Sequence, residues 1–389
     1  MLSTIARKNK INLTDYPFKK DIANRLFLAN CSLFELDLLQ ELLFQASKCH
    51  INDLLESLDC ELSPLLDALS RFSRIGFIMQ SNETIHIDKE LKKYFELHSF
   101  KFTARVEPSF EHLQALMQKV PISTLPTWYS IPRSSDNIFS SIVEKYLITP
   151  KIYESYLKEL SFEDPLLQQI VEDLYAHPEL TLQTSEIAKR YTLSPEKLQE
   201  YIIILEFHFV LVSCIKNGKE CIVPFAEWKD LLQHQRKHAL KPIREADVTV
   251  EKPPVVVSSR QDQEEAMTLF RQTLDRWHTS WGKYIPALEK SVFEIERSLR
   301  SIPANSWILF DDYVRQLTAP VGSQQAISLQ RAGKKWRFLL PEYSDKEEAF
   351  IEEVLFDLLH KVGITSCGSC EGEPCFIITP FGRVALGDM

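Results

Sequence analysis

Residues 193–223 read LSPEKLQEYIIILEFHFVLVSCIKNGKECIV, and this stretch predicts a helix followed by a β-hairpin. Ser194 suits the N-cap of the helix and Pro195 its first position, where a missing N–H costs nothing. Asn217-Gly218 separates two apolar runs and marks a two-residue hairpin turn, because both central residues of that turn take positive φ. The helix and the hairpin form the second half of a small unit that begins further upstream.

The first half of that unit consists of two predicted helices, over 166–175 and 184–190. Three helices and a β-hairpin in this order describe a winged helix-turn-helix. An earlier copy begins with a capping box formed by Ser32 and Glu35, and its 62–64 segment repeats the Leu-Ser-Pro start signal. The predicted elements of this earlier copy are helices over 32–43, 51–58 and 63–75, a stop at Gly76, and strands over 77–79 and 84–87.

A third and less regular copy is predicted near the C-terminus. Residues 307–317 are expected to form its first helix, and a later helix ends at Gly363. Strands over 364–366 and 375–378 complete its hairpin.

The sequence thus predicts a mainly α fold with small β-hairpin wings, built of tandem winged helix-turn-helix units and a helical spacer. The linker prediction rests on Lys252-Pro253-Pro254 and on a run of valines and serines without helical period. The predicted domains are 1–100 (first winged helix), 101–164 (helical spacer), 165–239 (second winged helix), 240–262 (linker) and 263–389 (long helix with the third winged helix).

Composition narrows the class of protein. The 389 residues are 44% apolar and 25% charged, which is ordinary globular usage. A net charge of −9 is the wrong sign for a non-specific nucleic-acid coat, although a local basic patch is compatible with it. No apolar run approaches the roughly 18 to 20 residues that span a bilayer, and the first residues lack a secretory signal. We therefore expect a cytoplasmic protein without a membrane partner, whose eight cysteines are too sparse for a disulfide scaffold.

Three segments resemble a known family. IHIDKEL at 85–91 is similar to the end of the first unit of bacterial helicase-associated winged-helix proteins. LLHKVGI at 358–364 and FIITPFGR at 376–383 resemble the wing ending of proteins related to the N-terminal region of the eukaryotic transcription-repair helicase. The resemblance implies tandem winged helices, a role in DNA metabolism, and a partner that is an ATPase, a helicase or part of the transcription machinery. The chain itself lacks a glycine-rich phosphate loop, so an ATPase activity would belong to that partner.

Cationic side chains are the candidates for contact with DNA. A winged helix usually inserts its third helix into the major groove, and only the first unit offers arginines there, Arg71 and Arg74. The third helices of the other two units are acidic and are expected to bind protein. The remaining candidates are Lys216 and Lys219 at the second wing and the RAGKKWRF segment with Arg331, Lys334, Lys335, Trp336 and Arg337.

Each candidate has a structural alternative. Trp336 could stack on bases, or it could enter the protein core together with Phe338. Wing-tip lysines also serve solubility, and the basic cluster at 234–244 also suits an exposed helix end. Trp277 and Trp281 are expected to be packing anchors, with an interface stripe as the alternative.

No cofactor or catalytic motif is present in the sequence. Cys367, Cys370 and Cys375 have part of the spacing of a zinc site but lack a fourth ligand nearby, so we expect free thiols and no metal. The paired glutamates 347–348 and 352–353 are expected on the solvated face of a helix. We expect a non-enzymatic DNA-metabolism or transcription accessory protein that contacts DNA and binds a protein partner. The alternative is a pure protein-interaction scaffold.

Overall fold

The computed structural model describes residues 16–99, 108–118, 147–252, 256–333 and 335–387. The fold is mixed α/β and 56% helical with small antiparallel sheets, which is compatible with the predicted mainly α class. The chain divides into two compact units, 1–230 with 332–336, and 231–331 with 337–389. Within the described ranges no helix is both long enough and apolar enough to cross a membrane.

The first described helix of the first unit is α1 (Phe18–Ala29). It is followed by a group of helices and strands that we call repeat 1. Its buried core includes Leu38, Leu65, Phe72 and Phe77. Repeat 1 contains α2 (Leu33–Phe44), β1 (Lys48–His50), α3 (Ile51–Leu58), α4 (Leu62–Arg74), β2 (Ile78–Ser81), β3 (Thr84–Ile87) and α5 (Lys89–His98).

Two further helices, α6 (Phe110–Gln118) and α7 (Pro150–Glu159), precede repeat 2. The core of repeat 2 contains Leu174, Leu198, Ile202 and Ile222. Repeat 2 contains α8 (Pro165–Ala176), β4 (Leu182–Gln183), α9 (Thr184–Tyr191), α10 (Pro195–Phe207), β5 (Val212–Lys216), β6 (Lys219–Val223) and α11 (Ala226–Lys237).

Repeat 3 follows β7 (Thr249–Lys252) and the long helix α12 (Arg260–Ser280). An additional hairpin lies between its second and third helices, and a π-helical stretch, Val354–Leu358, interrupts the third. Repeat 3 contains α13 (Leu288–Leu299), β8 (Ile308–Leu309), α14 (Phe310–Gln316), the inserted β9 (Ser328–Ala332) and β10 (Lys335–Leu339), α15 (Asp345–Glu353), α16 (Leu359–Lys361), β11 (Thr365–Cys370), β12 (Glu373–Ile378) and α17 (Pro380–Leu386).

The three repeats share their sheet topology. In each, the short strand after the first helix pairs with the last strand of the hairpin, giving the orders β1-β3-β2, β4-β6-β5 and β7-β11-β12-β8. Each third helix also ends in the same way, at a residue with positive φ followed by a backbone N–H that bonds back across the turn. The bonds run from Phe77 to Phe72 (3.0 Å) after Gly76, from Val210 to Leu205 (3.1 Å) after Phe209, and from Ile364 to Leu359 (2.9 Å) after Gly363.

The shared Leu-Ser-Pro signal does not mark equivalent positions. Ser194 is the N-cap of α10 and accepts a hydrogen bond from the Lys197 N–H at 3.2 Å, as predicted. The predicted N-cap at Ser63 is wrong, because α4 already begins at Leu62 with Glu61 as its N-cap. Proline is tolerated there because the whole first turn of a helix has N–H groups without intrahelical partners.

The predicted first helix of the third copy is displaced by one element. Residues 308–309 form strand β8 and 310–316 form α14, which is the second helix of repeat 3. The first helix of repeat 3 is α13. It ends at Leu299, eight residues before the position 307 at which the sequence predicted the first helix to begin. In the segment predicted as a linker, Ile243 forms a bridge with Trp307, and β7 pairs with β11.

Candidate nucleic-acid interface

Arg71 in α4 is held by a carboxylate from another helix. Its Nη1 donates to both carboxylate oxygens of Glu35, at 2.5 and 2.6 Å, and Nη2 donates to the Asn30 carbonyl at 3.3 Å. Glu35 is itself buried and forms the predicted capping box with Ser32. The Arg71 side chain is 41% exposed, but the Glu35 carboxylate already neutralises most of its charge before any ligand arrives.

Arg74, one turn further along α4, is exposed and has no acidic partner among the residues that the structure describes. The face of α4 that points away from the core also exposes Ser70 and Ser73. Hydroxyl and guanidinium groups are common donors to phosphate oxygens. The charge of the arginine singles it out in the sequence, whereas nothing local distinguishes the two serines.

The corresponding face of α10 is closed. Counted from the shared helix stop, the positions of Ser70, Ser73 and Arg74 are taken in repeat 2 by Ile203, Glu206 and Phe207, all of which are buried. Helix α1 packs along this face, and the Tyr16 ring meets the Phe207 ring edge-on at 5.3 Å. A helix covered in this way cannot enter a major groove unless α1 leaves.

A buried ion cluster fastens α1 to α10. The Arg25 guanidinium bonds Asp21 at 3.0 Å and Glu206 at 2.7 Å, and these three side chains are at most 2% exposed. Tyr94 of α5 donates to Asp21 at 2.6 Å, and burial together with the Asp21 charge raises the pKa of its hydroxyl. Glu206 also accepts from the N–H and Oγ of Ser213. Glu206, one of the acidic residues of this third helix, is therefore buried and paired instead of facing solvent.

The third helix of repeat 3 is covered by α12. Trp277 and Trp281 contact the Phe350 ring edge-on at 5.7 and 5.5 Å, which makes both tryptophans packing anchors. The Trp281 indole N–H donates to Glu353 at 2.8 Å. Glu347 was predicted on the solvated face of this helix, and this prediction is wrong because the side chain is buried. Its carboxylate accepts hydrogen bonds from Ser344 and from residues 323 and 324 of the preceding turn, which satisfy it there.

The inserted hairpin β9–β10 carries the densest set of unpaired cations. Arg331, Lys335 and Arg337 are exposed, and none of them pairs with a carboxylate within the described ranges. Lys335 and Arg337 are two residues apart on one strand, so they project to the same side about 7 Å apart. Lys334, the fourth predicted cation, lies outside the described residues.

The structure uses Trp336 for packing. Its ring is half-buried and meets the buried Phe110 ring edge-on, with centroids 5.4 Å apart. Phe338, on the same side of β10, is also half-buried. The Trp336 ring therefore serves packing, and base stacking is not part of the proposed nucleic-acid contact.

Lys216 and Lys219 close the second wing. They are cross-strand partners at the Asn217-Gly218 turn, whose two residues have φ of 51° and 72° as the sequence predicts. Lys219 is exposed and Lys216 half-buried. The pair places two positive charges at one hairpin tip.

The three cysteines with part of a zinc-site spacing, Cys367, Cys370 and Cys375, lie in the strands of the third wing. Cys367 and Cys375 are buried, and Cys370 is next to the turn at Glu371-Gly372. Burial raises the pKa of the Cys375 thiol to about 11, which keeps it protonated at neutral pH. No cluster of three or more His, Cys, Asp or Glu side chains suited to a metal occurs among the described residues.

Glu296 of α13 gives repeat 3 a pH-dependent stability. Burial raises its pKa to about 7, and Arg300 opposes the shift only in part. The folded state therefore holds a proton that the unfolded state releases near pH 4.5, so stability is lost as the pH rises from about 4.5 to about 7. Glu296→Gln should raise the free energy of unfolding by about 1–2 kcal/mol at pH 8 and leave it unchanged at pH 4.5.

Urea titrations at the two pH values measure this difference. Glu289→Gln is the matched control on the same helix, because the Glu289 side chain is 74% exposed and should show no pH-dependent gain. An equal gain from Glu296→Gln at both pH values would contradict the assignment.

Comparisons with family models, with curated proteins and with solved structures find no match for this chain.

Proposed function

We propose that the three repeats are winged helix-turn-helix units and that the chain is a cytoplasmic, non-enzymatic accessory protein of DNA metabolism or transcription. The first part is supported by the element order that the three repeats share, apart from the hairpin inserted in repeat 3, and by the pairing of the short strand with the last hairpin strand in each. In the proposed mode of action, the cations of hairpin β9–β10 contact the nucleic-acid backbone, and Arg74 of α4 is a separate contact within repeat 1. A protein partner supplies any ATPase or transcription activity.

The observation that carries the nucleic-acid proposal is the set of free cations on the inserted hairpin. Arg331, Lys335 and Arg337 meet no carboxylate in the described part of the chain, although the protein as a whole has an excess of nine acidic charges. Phosphates release bound counterions when cations neutralise them, which gives such a cluster affinity without sequence preference.

The test is the salt dependence of DNA binding. The triple variant Arg331→Gln/Lys335→Gln/Arg337→Gln should weaken binding to a duplex by about tenfold or more at roughly 100 mM salt. The slope of log affinity against log salt should also fall by about 2.7, since each duplex phosphate contact contributes about 0.9. Fluorescence anisotropy with single- and double-stranded DNA of mixed sequence measures both quantities.

A matched control separates the site from the overall charge. Lys89→Gln/Lys151→Gln/Lys283→Gln removes the same three charges from exposed, scattered positions. For this control, the slope of log affinity against log salt should differ from that of the parent by no more than about 0.9, the contribution of one phosphate contact. Equal losses in both triple variants, or no binding by the parent at low salt, would refute the hairpin as the contact site.

A second candidate function is a pure protein-interaction scaffold. It is favoured by the burial of α10 under α1 and of α15 under α12, because two of three third helices are used for packing between protein elements. Binding of a protein partner that survives in the triple hairpin variant, together with no DNA binding by the parent, would support the scaffold.

A further inference from the structure

The third helices of the three repeats differ in what lies on their outer face. Helix α1 covers α10 in repeat 2, and α12 packs against α15 and α16 in repeat 3. Counted from the shared helix stop, four positions on this face of α10 are each at most 2% exposed: Gln199, Ile203, Glu206 and Phe207. The equivalent positions of α4 are all exposed, and they are occupied by Leu66, Ser70, Ser73 and Arg74. Repeat 1 therefore leaves open a face on which the other two repeats carry a helix.

The outer side of α4 presents a straight row of side chains, which we call the α4 row. Its members are Ser63, Asp67, Ser70 and Arg74, and all four are exposed. Their spacing of four, three and four residues places them in one line, on the side of the helix opposite its buried stripe. Helices that pack along a common seam use this spacing. The α4 row therefore has the form of a contact surface for one further helix.

The two charges of the α4 row are opposite and free. Asp67 and Arg74 are seven residues apart, which is about 10.5 Å along the helix axis. Neither forms an ion pair with another residue in the described ranges, whereas Arg71 beside the row is already held by Glu35. A row with a negative charge at one end and a positive charge at the other is complementary to its own copy in antiparallel orientation. Asp67 then meets Arg74 of the second copy, and Arg74 meets Asp67 of the second copy.

We propose that repeat 1 binds a second copy of this chain through an antiparallel contact between the two α4 helices. The two-fold axis passes beside Ser70, whose small side chain lets the helix axes approach closely. Two ion pairs between Asp67 and Arg74 close the ends of the contact, and Leu66 beside the row adds an apolar contact. One helix from each chain makes a small interface, so we expect a weak dimer with a dissociation constant of about 10–100 µM.

This dimer goes beyond the proposed nucleic-acid contact. The cations of hairpin β9–β10 take no part in it, so failure of the hairpin test leaves the dimer untouched. Arg74 belongs to both proposals, and a second copy and a nucleic acid therefore exclude each other on α4.

Sedimentation velocity of the full chain measures the association. Over about 5–300 µM the parent should change from monomer to dimer. Asp67→Arg and Arg74→Glu each turn two attractions into two repulsions, so each should weaken dimerisation at least about tenfold. Asp67→Arg/Arg74→Glu exchanges the two charges and should return the dissociation constant to within about threefold of the parent. Glu159→Arg, at an exposed position of α7 outside repeat 1, is the matched control and should dimerise as the parent does.

A mixture of the two single variants supplies a second test of the same contact. The Asp67→Arg chain and the Arg74→Glu chain present complementary rows to each other, so the mixture should form a dimer that neither chain forms alone. The proposal is overturned if the parent stays monomeric over the whole range, which would leave the face to a helix of another protein. It is also overturned if the single variants dimerise as the parent does, or if neither the double variant nor the mixture restores association.

Discussion

Arg25→Ala is expected to lower the free energy of unfolding of the first unit by about 3–5 kcal/mol. The substitution leaves Asp21 and Glu206 as buried carboxylates without their shared cation. Two charges that water cannot reach lose the attraction that offset their desolvation, which makes removal of one partner far more costly than the ion pair is favourable. Urea unfolding at pH 7 measures the loss.

Two variants separate the buried charge from the lost side chain. In Asp21→Asn/Arg25→Met/Glu206→Gln no charge remains buried in this cluster, so we expect most of the stability to return. Arg244→Ala removes an 84% exposed arginine paired with Asp247 and should cost less than about 1 kcal/mol. If Arg25→Ala costs no more than Arg244→Ala, α1 is not fastened to α10 by this cluster.

Gly382→Ala is the second large expected effect, a loss of about 3 kcal/mol or more in the second unit. A Cβ on Gly382 would lie under 3 Å from the carbonyl oxygen of Ile364, which is backbone and cannot swing aside. Thr379 fixes the approach, because its hydroxyl donates to the Gly363 carbonyl at 2.6 Å and accepts from the Gly382 N–H at 2.9 Å. Thermal unfolding measures the loss.

Gly372→Ala is the matched control. Gly372 has φ of 87° at the wing turn, but nothing lies within 4 Å of its Cβ position. Its substitution therefore tests backbone conformation alone and should cost about 1 kcal/mol. Equal effects at the two glycines would show that close packing at Gly382 is not what the position requires.

The same contacts account for the wing ending on which the family resemblance rests. In FIITPFGR the threonine caps α17, the glycine permits the close approach to Ile364, and Arg383 donates to the carbonyls of Ile302 and Pro303. The motif therefore has a structural role in closing repeat 3. It carries no information about DNA by itself.

The local elements of repeats 1 and 2 were predictable. The capping box at Ser32 and the turn at Asn217-Gly218 depend on residues that are neighbours in sequence, and both are present. The N-cap at Ser63 was wrong because proline fits several positions of a first helical turn equally well. The sequence did not predict that the β9–β10 hairpin is an insertion. A hairpin can be recognised as inserted only after the helices of repeat 3 on both sides of it are known.

The fate of the candidate site residues was less predictable. Trp336 and Arg337 are adjacent, yet one is half-buried and the other exposed, as period-two alternation on a strand requires. Arg71 and Arg74 look equivalent in sequence, but among the described residues only Arg71 meets a carboxylate, from a residue 36 positions earlier. No local pattern distinguishes the two arginines.

The sequence by itself determined most helices and the hairpin turns of repeats 1 and 2, together with the excess of acidic charge, because caps, helical period and turn residues act over a few neighbours. Only the tertiary structure decided which charges reach solvent. As charged residues, Glu206 and Glu347 would be expected at the surface. In the structure α1 covers Glu206, and the 323–324 turn covers Glu347. Burial of a charge depends on which distant surfaces meet, and the solvation energy lost there is far larger than any local preference of the residue.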